Sequence, residues 1–99
     1  MALQRYGFIV KSDDLEMFKH HARLHSDNFD MSIAGVSDVA QAELVAQEMI
    51  TKGIQLIELC GGFSGEDAQR IREAINDHIP VGYVQYTDDE RSRLKAELS

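Results

Sequence analysis

Apolar runs alternate with amphipathic stretches along the chain. Residues 6–11, 29–36, 54–59 and 81–86 are rich in apolar, aromatic and β-branched side chains, which are typical of β-strands. The third run, IQLIEL, is almost continuously apolar, the pattern of a strand that is covered on both faces of a parallel sheet. We therefore predict four strands.

Amphipathic helices are predicted between these strands. Leu15, Phe18, Ala22 and His25 recur at spacings that share one helical face, so we expect a first helix of about three turns that ends near residues 25–28. In the second helix, Ser37 or Asp38 can cap the N-terminus. The buried stripe of that helix consists of Val39, Ala42, Val45, Ala46, Met49 and Ile50.

Caps and breakers mark the remaining helix ends. Gly53 lies where a left-handed residue commonly ends a helix. Ser64 and Asp67 form a variant of the capping box, and Pro80 is expected to end the third helix. Residues 87–90, TDDE, form another capping box that opens a last helix, which has Leu94 and Leu98 as its large apolar residues.

The alternation of strand and helix predicts the fold class. Residues 1–99 are expected to form a single small α/β domain. Right-handed crossovers imply a mostly parallel four-stranded sheet, for which we predict the strand order 2-1-3-4. A ferredoxin-like α+β fold with an antiparallel sheet is the alternative.

Composition and charge narrow the classes of partner. A net charge of −7 repels phosphate backbones, and the ten Lys and Arg residues are scattered among acidic ones, so we expect no nucleic-acid partner. A run of roughly 18 apolar residues that would span a membrane is missing from the sequence. The first residues lack an export signal, and a single cysteine excludes an internal disulfide, so a soluble, cytoplasmic protein is expected.

Glu58 and Cys60 are the first candidates for chemistry. Side chains alternate along a strand, so both are expected on one face, near the carboxyl end of the third strand, where open parallel sheets place ligand crevices. An unpaired buried carboxylate is costly, so Glu58 must be neutral, paired or facing a wet cleft. Alternatively both residues are structural, with Glu58 accepting hydrogen bonds from a loop and Cys60 packing as a small apolar group.

Gly61, Gly62 and Ser64 form the turn that leads into the third helix. Such a turn can bind an anion through free backbone N–H groups. The spacing matches neither a dinucleotide fingerprint nor a P-loop, and Glu66 and Asp67 already interact with the helix dipole. A carboxylate or neutral polar ligand fits this turn better than a polyphosphate, and a purely structural turn is the alternative.

The histidines of HHARLH offer a further candidate site. His21 and His25 lie four residues apart, a helical spacing that lets two imidazoles approach one ligand or metal. Without a C-x-x-C or H-E-x-x-H pattern we predict no metal site and leave the cofactor unassigned. A nucleophilic pair of Cys60 with His21 or His25, oriented by Glu58, can also be drawn, although the spacing does not require it.

Three stretches resemble a known family. VAQEMITKG at 45–53, IELCGGF at 57–63 and IPVG at 79–82 are similar to motifs of a family of small uncharacterised prokaryotic α/β proteins, a domain of unknown function. Members tend to carry a histidine in the first connection, which corresponds to His20, His21 or His25, and a glycine where this chain has Ser64. The resemblance implies the same fold and no particular activity.

Three functions fit these observations. The first is binding of a small polar or carboxylate ligand near Glu58 and Cys60. The second is a small oligomeric enzyme, an isomerase or lyase that uses acid–base or thiol chemistry. The third is a structural or interaction protein without a ligand. Because an open sheet leaves two edges to cover, we also expect a homo-oligomer, most simply a dimer that forms contacts near residues 81–86.

Overall fold

The computed structural model describes residues 2–99. Within that range the chain forms five strands and three helices, in the order β1 (Arg5–Lys11), β2 (His21–His25), β3 (Asp30–Val36), α1 (Val39–Thr51), β4 (Leu56–Leu59), α2 (Gly65–Ala74), β5 (Val81–Tyr83) and α3 (Asp88–Leu98).

The strands form one mixed sheet in the order β2-β3-β1-β4-β5. Strands β3, β1, β4 and β5 pair in parallel, and β2 pairs with β3 in the antiparallel sense. The four strands predicted from the sequence therefore lie in the predicted order, 2-1-3-4. The prediction of a four-stranded sheet was inexact, because the described chain adds β2 as an antiparallel edge strand.

The predicted first helix is absent from the described residues, and β2 takes its place. Residues 12–20 form turns, in which Phe18 has the left-handed φ of 62° that a continuous helix does not allow. The peptide N–H of Ser26 donates to the carbonyl oxygen of Phe29 at 2.8 Å and closes a hairpin between β2 and β3. Across this hairpin, Nε and Nη2 of the Arg23 guanidinium donate to the two carboxylate oxygens of Asp30, each at 2.7 Å.

The caps of α1 and α2 agree with the sequence. The Asp38 carboxylate accepts from the peptide N–H of Gln41 at 2.8 Å, and Gly53 has the left-handed φ of 77° expected after a helix end. Ser64 and Asp67 form the predicted reciprocal capping box at the start of α2. That helix ends at Ala74, well before Pro80, because Asn76 and Asp77 take left-handed conformations.

Both α1 and α2 cover the same face of the sheet. Helix α1 connects β3 to β4, and α2 connects β4 to β5. Both connections run in the same direction across the sheet, so right-handed crossovers place both helices on the same face. The core lies between these helices and the sheet. Its largest fully buried side chains are Ile9, Ile57, Leu59, Ile71 and Val36.

The opposite face of the sheet has no helix over it in residues 2–99. We call it the open face, and its large strand residues are Tyr6, Phe8, Val10, Leu24, Met31, Ile33, Leu56 and Glu58. Each is partly exposed, whereas their neighbours Ile9, Ile57 and Leu59 on the helix face are fully buried. The open face follows from the missing first helix, which would have lain on it.

Helix α3 extends from the carboxyl end of the sheet. The Thr87 side chain accepts from the peptide N–H of Glu90 at 3.2 Å, which is one half of the predicted capping box. None of the residues of α3 is buried in the described chain, and Leu98 is 78% exposed. Across residues 2–99, every helix is too short or too polar to cross a bilayer.

Candidate functional site

A cleft at the carboxyl end of the sheet lies between β5, the turn before α2 and helix α3. Strand pairing continues one residue past β5, where the peptide N–H of Val84 donates to the carbonyl oxygen of Leu59 at 3.0 Å. Residues 61–65 and 83–86 line the space beyond this point. Between them they leave a space of about 450 Å³ that Arg91 and Leu94 of α3 close on one side.

The turn before α2 is fixed at both ends. The peptide N–H of Cys60 donates to the carbonyl oxygen of Ile9 at 3.0 Å, which ties the start of the turn to the sheet. Phe63 is only 4% exposed and anchors the middle of the turn in the core. Ser64 accepts from the peptide N–H of Asp67 at 3.0 Å and gives its own N–H to the Asp67 carboxylate at the same distance. The backbone of this cleft wall is therefore held in place.

Two glycines let two tyrosines lie against this turn. A Cβ atom added to Gly61 would collide with the Tyr86 hydroxyl and ring. One added to Gly65 would lie 2.9 Å from the Tyr83 hydroxyl. Both phenol groups therefore line the cleft because these positions carry no side chain. Strand β5 ends at Tyr83 rather than at the predicted residue 86.

Arg91 gives the cleft its charge. Among the described residues that line it, Arg91 is the only charged one. Its guanidinium lies 3.5 Å from the carbonyl oxygen of Tyr86, which is a long and weak contact, so most of its donors face solvent. Ser64, Gln85 and the tyrosines add neutral polar groups, and Phe63, Val84 and Leu94 add an apolar wall. Such a lining can bind a carboxylate that carries an apolar body.

Cys60 lies at the rim of the core beside β1. Its sulfur accepts from the peptide N–H of Lys11 at 3.3 Å, the place that a carbonyl oxygen would take if the ladder between β1 and β4 continued. The side chain is partly buried and packs against the core cluster. This geometry gives Cys60 a structural contact, as in the alternative stated from the sequence.

Glu58 lies on the open face, where its partner is Tyr6. Phe8 is its direct neighbour in the register of β1 and β4, and Tyr6 is the diagonal one. Burial, together with the hydrogen bond and charge of Glu58, raises the pKa of Tyr6 to about 12. The phenol therefore stays protonated at neutral pH. Glu58 and Cys60 thus have different surroundings.

The structure places the histidines away from the cleft. His21 and His25 lie on β2, opposite Ala34 and Asp30 of β3, so strands β3 and β1 separate them from β4. Three strand spacings correspond to roughly 14 Å. Four residues along a strand correspond to roughly 13 Å, so the two imidazoles are far apart. The prediction that His21 and His25 lie one helical turn apart was therefore wrong. His20 is held elsewhere, because its Nδ1 accepts from the peptide N–H of Glu16 at 3.0 Å.

The cleft includes two of the sequence candidates, Gly61 and Ser64. Gly62 lies beside it, with the Cys60 sulfur 3.5 Å from the place of a Cβ. In the part of the chain that the structure describes, no group of three or more His, Cys, Asp or Glu side chains is arranged to hold a metal ion.

Sequence reasoning missed the roles of Tyr83, Tyr86 and Arg91. The sequence predicted a strand through residue 86, which does not place either tyrosine at a cleft, and it is their close approach to Gly61 and Gly65 that brings them there. For Arg91, the available signal was its position one turn after the predicted cap at Thr87.

Comparisons with known proteins identify a family. A family model described as a family of unknown function, DUF6506, matches residues 4–99. Neither a curated protein nor a solved structure matches the chain. The comparison therefore supports the predicted resemblance at the level of a family without an assigned function.

Proposed function

The chain belongs to the DUF6506 family, whose function is unknown, and we propose that it binds a small carboxylate with an apolar body in the cleft at the carboxyl end of the sheet. The observation that carries the proposal is the lining of this cleft, a space of about 450 Å³ in which Arg91 is the one charged residue described.

The charge of the cleft favours a carboxylate over other ligands. A guanidinium presents paired donors that match the two oxygens of a carboxylate. The tyrosine hydroxyls and Ser64 offer further donors, while Phe63, Val84 and Leu94 suit an apolar body. A polyphosphate is disfavoured, because Asp67 and Glu66 stand at the start of α2 and the chain carries a net charge of −7.

This site differs from the one predicted from the sequence. The proposal keeps Gly61 and Ser64 and adds Tyr83, Tyr86 and Arg91. The thiol enzyme that pairs Cys60 with His21 or His25 loses its support, since two strands lie between them. No observation favours a second function over ligand binding.

Thermal unfolding in the presence of benzoate tests the proposal. Benzoate has the carboxylate and the apolar body, and benzamide is its neutral counterpart of almost the same shape. We expect millimolar benzoate to raise the Tm more than benzamide does, because a ligand that binds the folded state stabilises it. Replacing Arg91 by Gln should weaken benzoate binding about tenfold or more, since a charge-assisted hydrogen bond is lost.

Arg93→Gln is the matched control. Arg93 lies on the same helix but pairs with Glu90 at 3.5 Å and does not line the cleft. This variant should keep the preference for benzoate over benzamide. If neither benzoate nor the longer carboxylate hexanoate raises the Tm, or if Arg91→Gln and Arg93→Gln respond alike, the protein does not bind carboxylates in this cleft.

A further inference from the structure

The open face is an apolar surface at the centre of the sheet. The strand registers place Met31, Tyr6 and Leu56 side by side in one row and Ile33, Phe8 and Glu58 in the next. Phe29 extends the first row, with its ring centroid 6.4 Å from that of Tyr6. Aromatic and aliphatic side chains thus form a continuous patch across three parallel strands.

Such a face is unusual for a sheet that is mostly parallel. Parallel strands normally lie in sheets that are covered on both faces. Here α1 and α2 cover one face, while within residues 2–99 every strand residue of the open face except Gly35 keeps some exposure. At the carboxyl end Leu15 packs on Gly35 and covers that corner alone. The central rows have no cover within residues 2–99.

The accessible area of the chain exceeds the value expected for a compact monomer of its mass. The accessible surface is 6668 Å², whereas the scaling law for monomeric proteins gives about 5,700 Å² for 11.1 kDa. The excess of about 1,000 Å² is close to the roughly 800 Å² that each partner buries in a standard interface. Part of the excess comes from α3, but its large apolar residues are only Leu94 and Leu98.

The charge distribution allows the open face to contact the same face of a second copy of the chain. The chain carries a net charge of −7, so two copies repel each other over most of their surface. Among the described strand residues of the open face, Glu58 is the only charged one, and Tyr6 is its diagonal neighbour on β1. A face that is nearly uncharged and apolar can pair with itself about a two-fold axis without placing many like charges together.

We infer that the open face is the contact surface of a homodimer, in which the same face of a second copy covers it. This contact differs from the one predicted from the sequence, which involved residues 81–86 at the edge of the sheet. In the dimer the two sheets stack face to face, at the spacing of about 10 Å typical of packed sheets. The cleft with Arg91 lies at the end of the sheet and stays open to solvent.

Mass measurement with a charge in the centre of the face tests this inference. Light scattering at micromolar concentration should give twice the chain mass of 11.1 kDa for the wild type. Ile33→Glu should give the monomer mass, because it buries a carboxylate in the apolar interface. Leu44→Glu is the matched control: Leu44 is 47% exposed on α1, away from the open face, and its variant should remain a dimer.

A milder variant guards against loss of folding. Ile33→Thr keeps a β-branched residue in the strand and should raise the dimer dissociation constant at least tenfold, since most of a buried apolar side chain is lost. Far-ultraviolet circular dichroism checks the fold of each variant. A monomeric wild type would overturn the inference, and so would a folded dimer that both Ile33 variants leave intact, because the interface would then lie elsewhere.

Discussion

Glu58 illustrates, at the scale of single residues, how a carboxylate is accommodated within an apolar strand. Alternation along β4 puts Ile57 and Leu59 in the core and leaves Glu58 on the open face. The sequence allowed this facing to be predicted, because it depends only on the period of a strand. The partner Tyr6 could not be predicted, because it comes from β1 and meets Glu58 only through the strand register.

Replacing Tyr6 by Phe should lower the free energy of unfolding by about 0.5–1.5 kcal/mol at neutral pH, since the favourable polar interaction of the phenol with the neighbouring Glu58 is lost. The pKa of Tyr6 is raised from 10.0 to about 12, so both the folded and unfolded states keep the proton below pH 10. Above pH 10 the unfolded chain releases it first, and the contribution of Tyr6 is lost as the pH approaches 12. The stability difference between wild type and variant should therefore narrow over that range.

Chemical denaturation at a series of pH values measures this difference. Tyr86→Phe serves as the control, because Tyr86 lies in the cleft and not beside Glu58. A difference between wild type and Tyr6→Phe that stays constant up to pH 12 would show that Tyr6 is not tied to Glu58.

Among the helices and strands, residues at the helix ends determine most of what the sequence could predict. The cap at Asp38, the left-handed Gly53 and the capping box of Ser64 act within a few residues, so the sequence was enough to place α1 and the start of α2. The prediction failed for β2. HARLH has apolar residues at spacings that suit a helix, but it also alternates polar and apolar residues, and pairing with β3 decides between the two.

The contact of α1 with β1 depends on the small size of Gly7. A Cβ atom at this position would lie 2.6 Å from the sulfur of Met49, which is 4% exposed. Gly7→Ala should therefore lower the free energy of unfolding by about 1–3 kcal/mol, the usual cost of overpacking a core. The flexible methionine allows part of the strain to relax.

Gly82→Ala is the matched variant, because it also places a methyl group on a strand glycine. Gly82 lies on β5, where an added Cβ would have no described neighbour within 4 Å, so we expect a change within about 0.5 kcal/mol. Thermal or urea unfolding compares the two. Equal effects would mean that α1 does not approach β1 as closely as the structure indicates.

The whole molecule has two surfaces whose roles the sequence could not separate. The carboxyl end of the sheet was a predictable location for a cleft, since parallel strands end there together. Its lining depends on where β5 stops and on the direction of α3, and neither is a local property. The open face was not predictable, because it exists only where a helix expected at residues 15–25 is replaced by turns and a strand.

Amide chemical shifts recorded during a benzoate titration test the central claim, that the cleft beside Arg91 binds a carboxylate. We expect saturable shifts confined to residues 61–65 and 83–91. They should disappear in Gly61→Ala, in which the new methyl group displaces Tyr86, and persist in Gly62→Ala, in which it meets only ordinary contacts. Shifts that never saturate, that centre on another surface, or that survive unchanged in Gly61→Ala would contradict the claim.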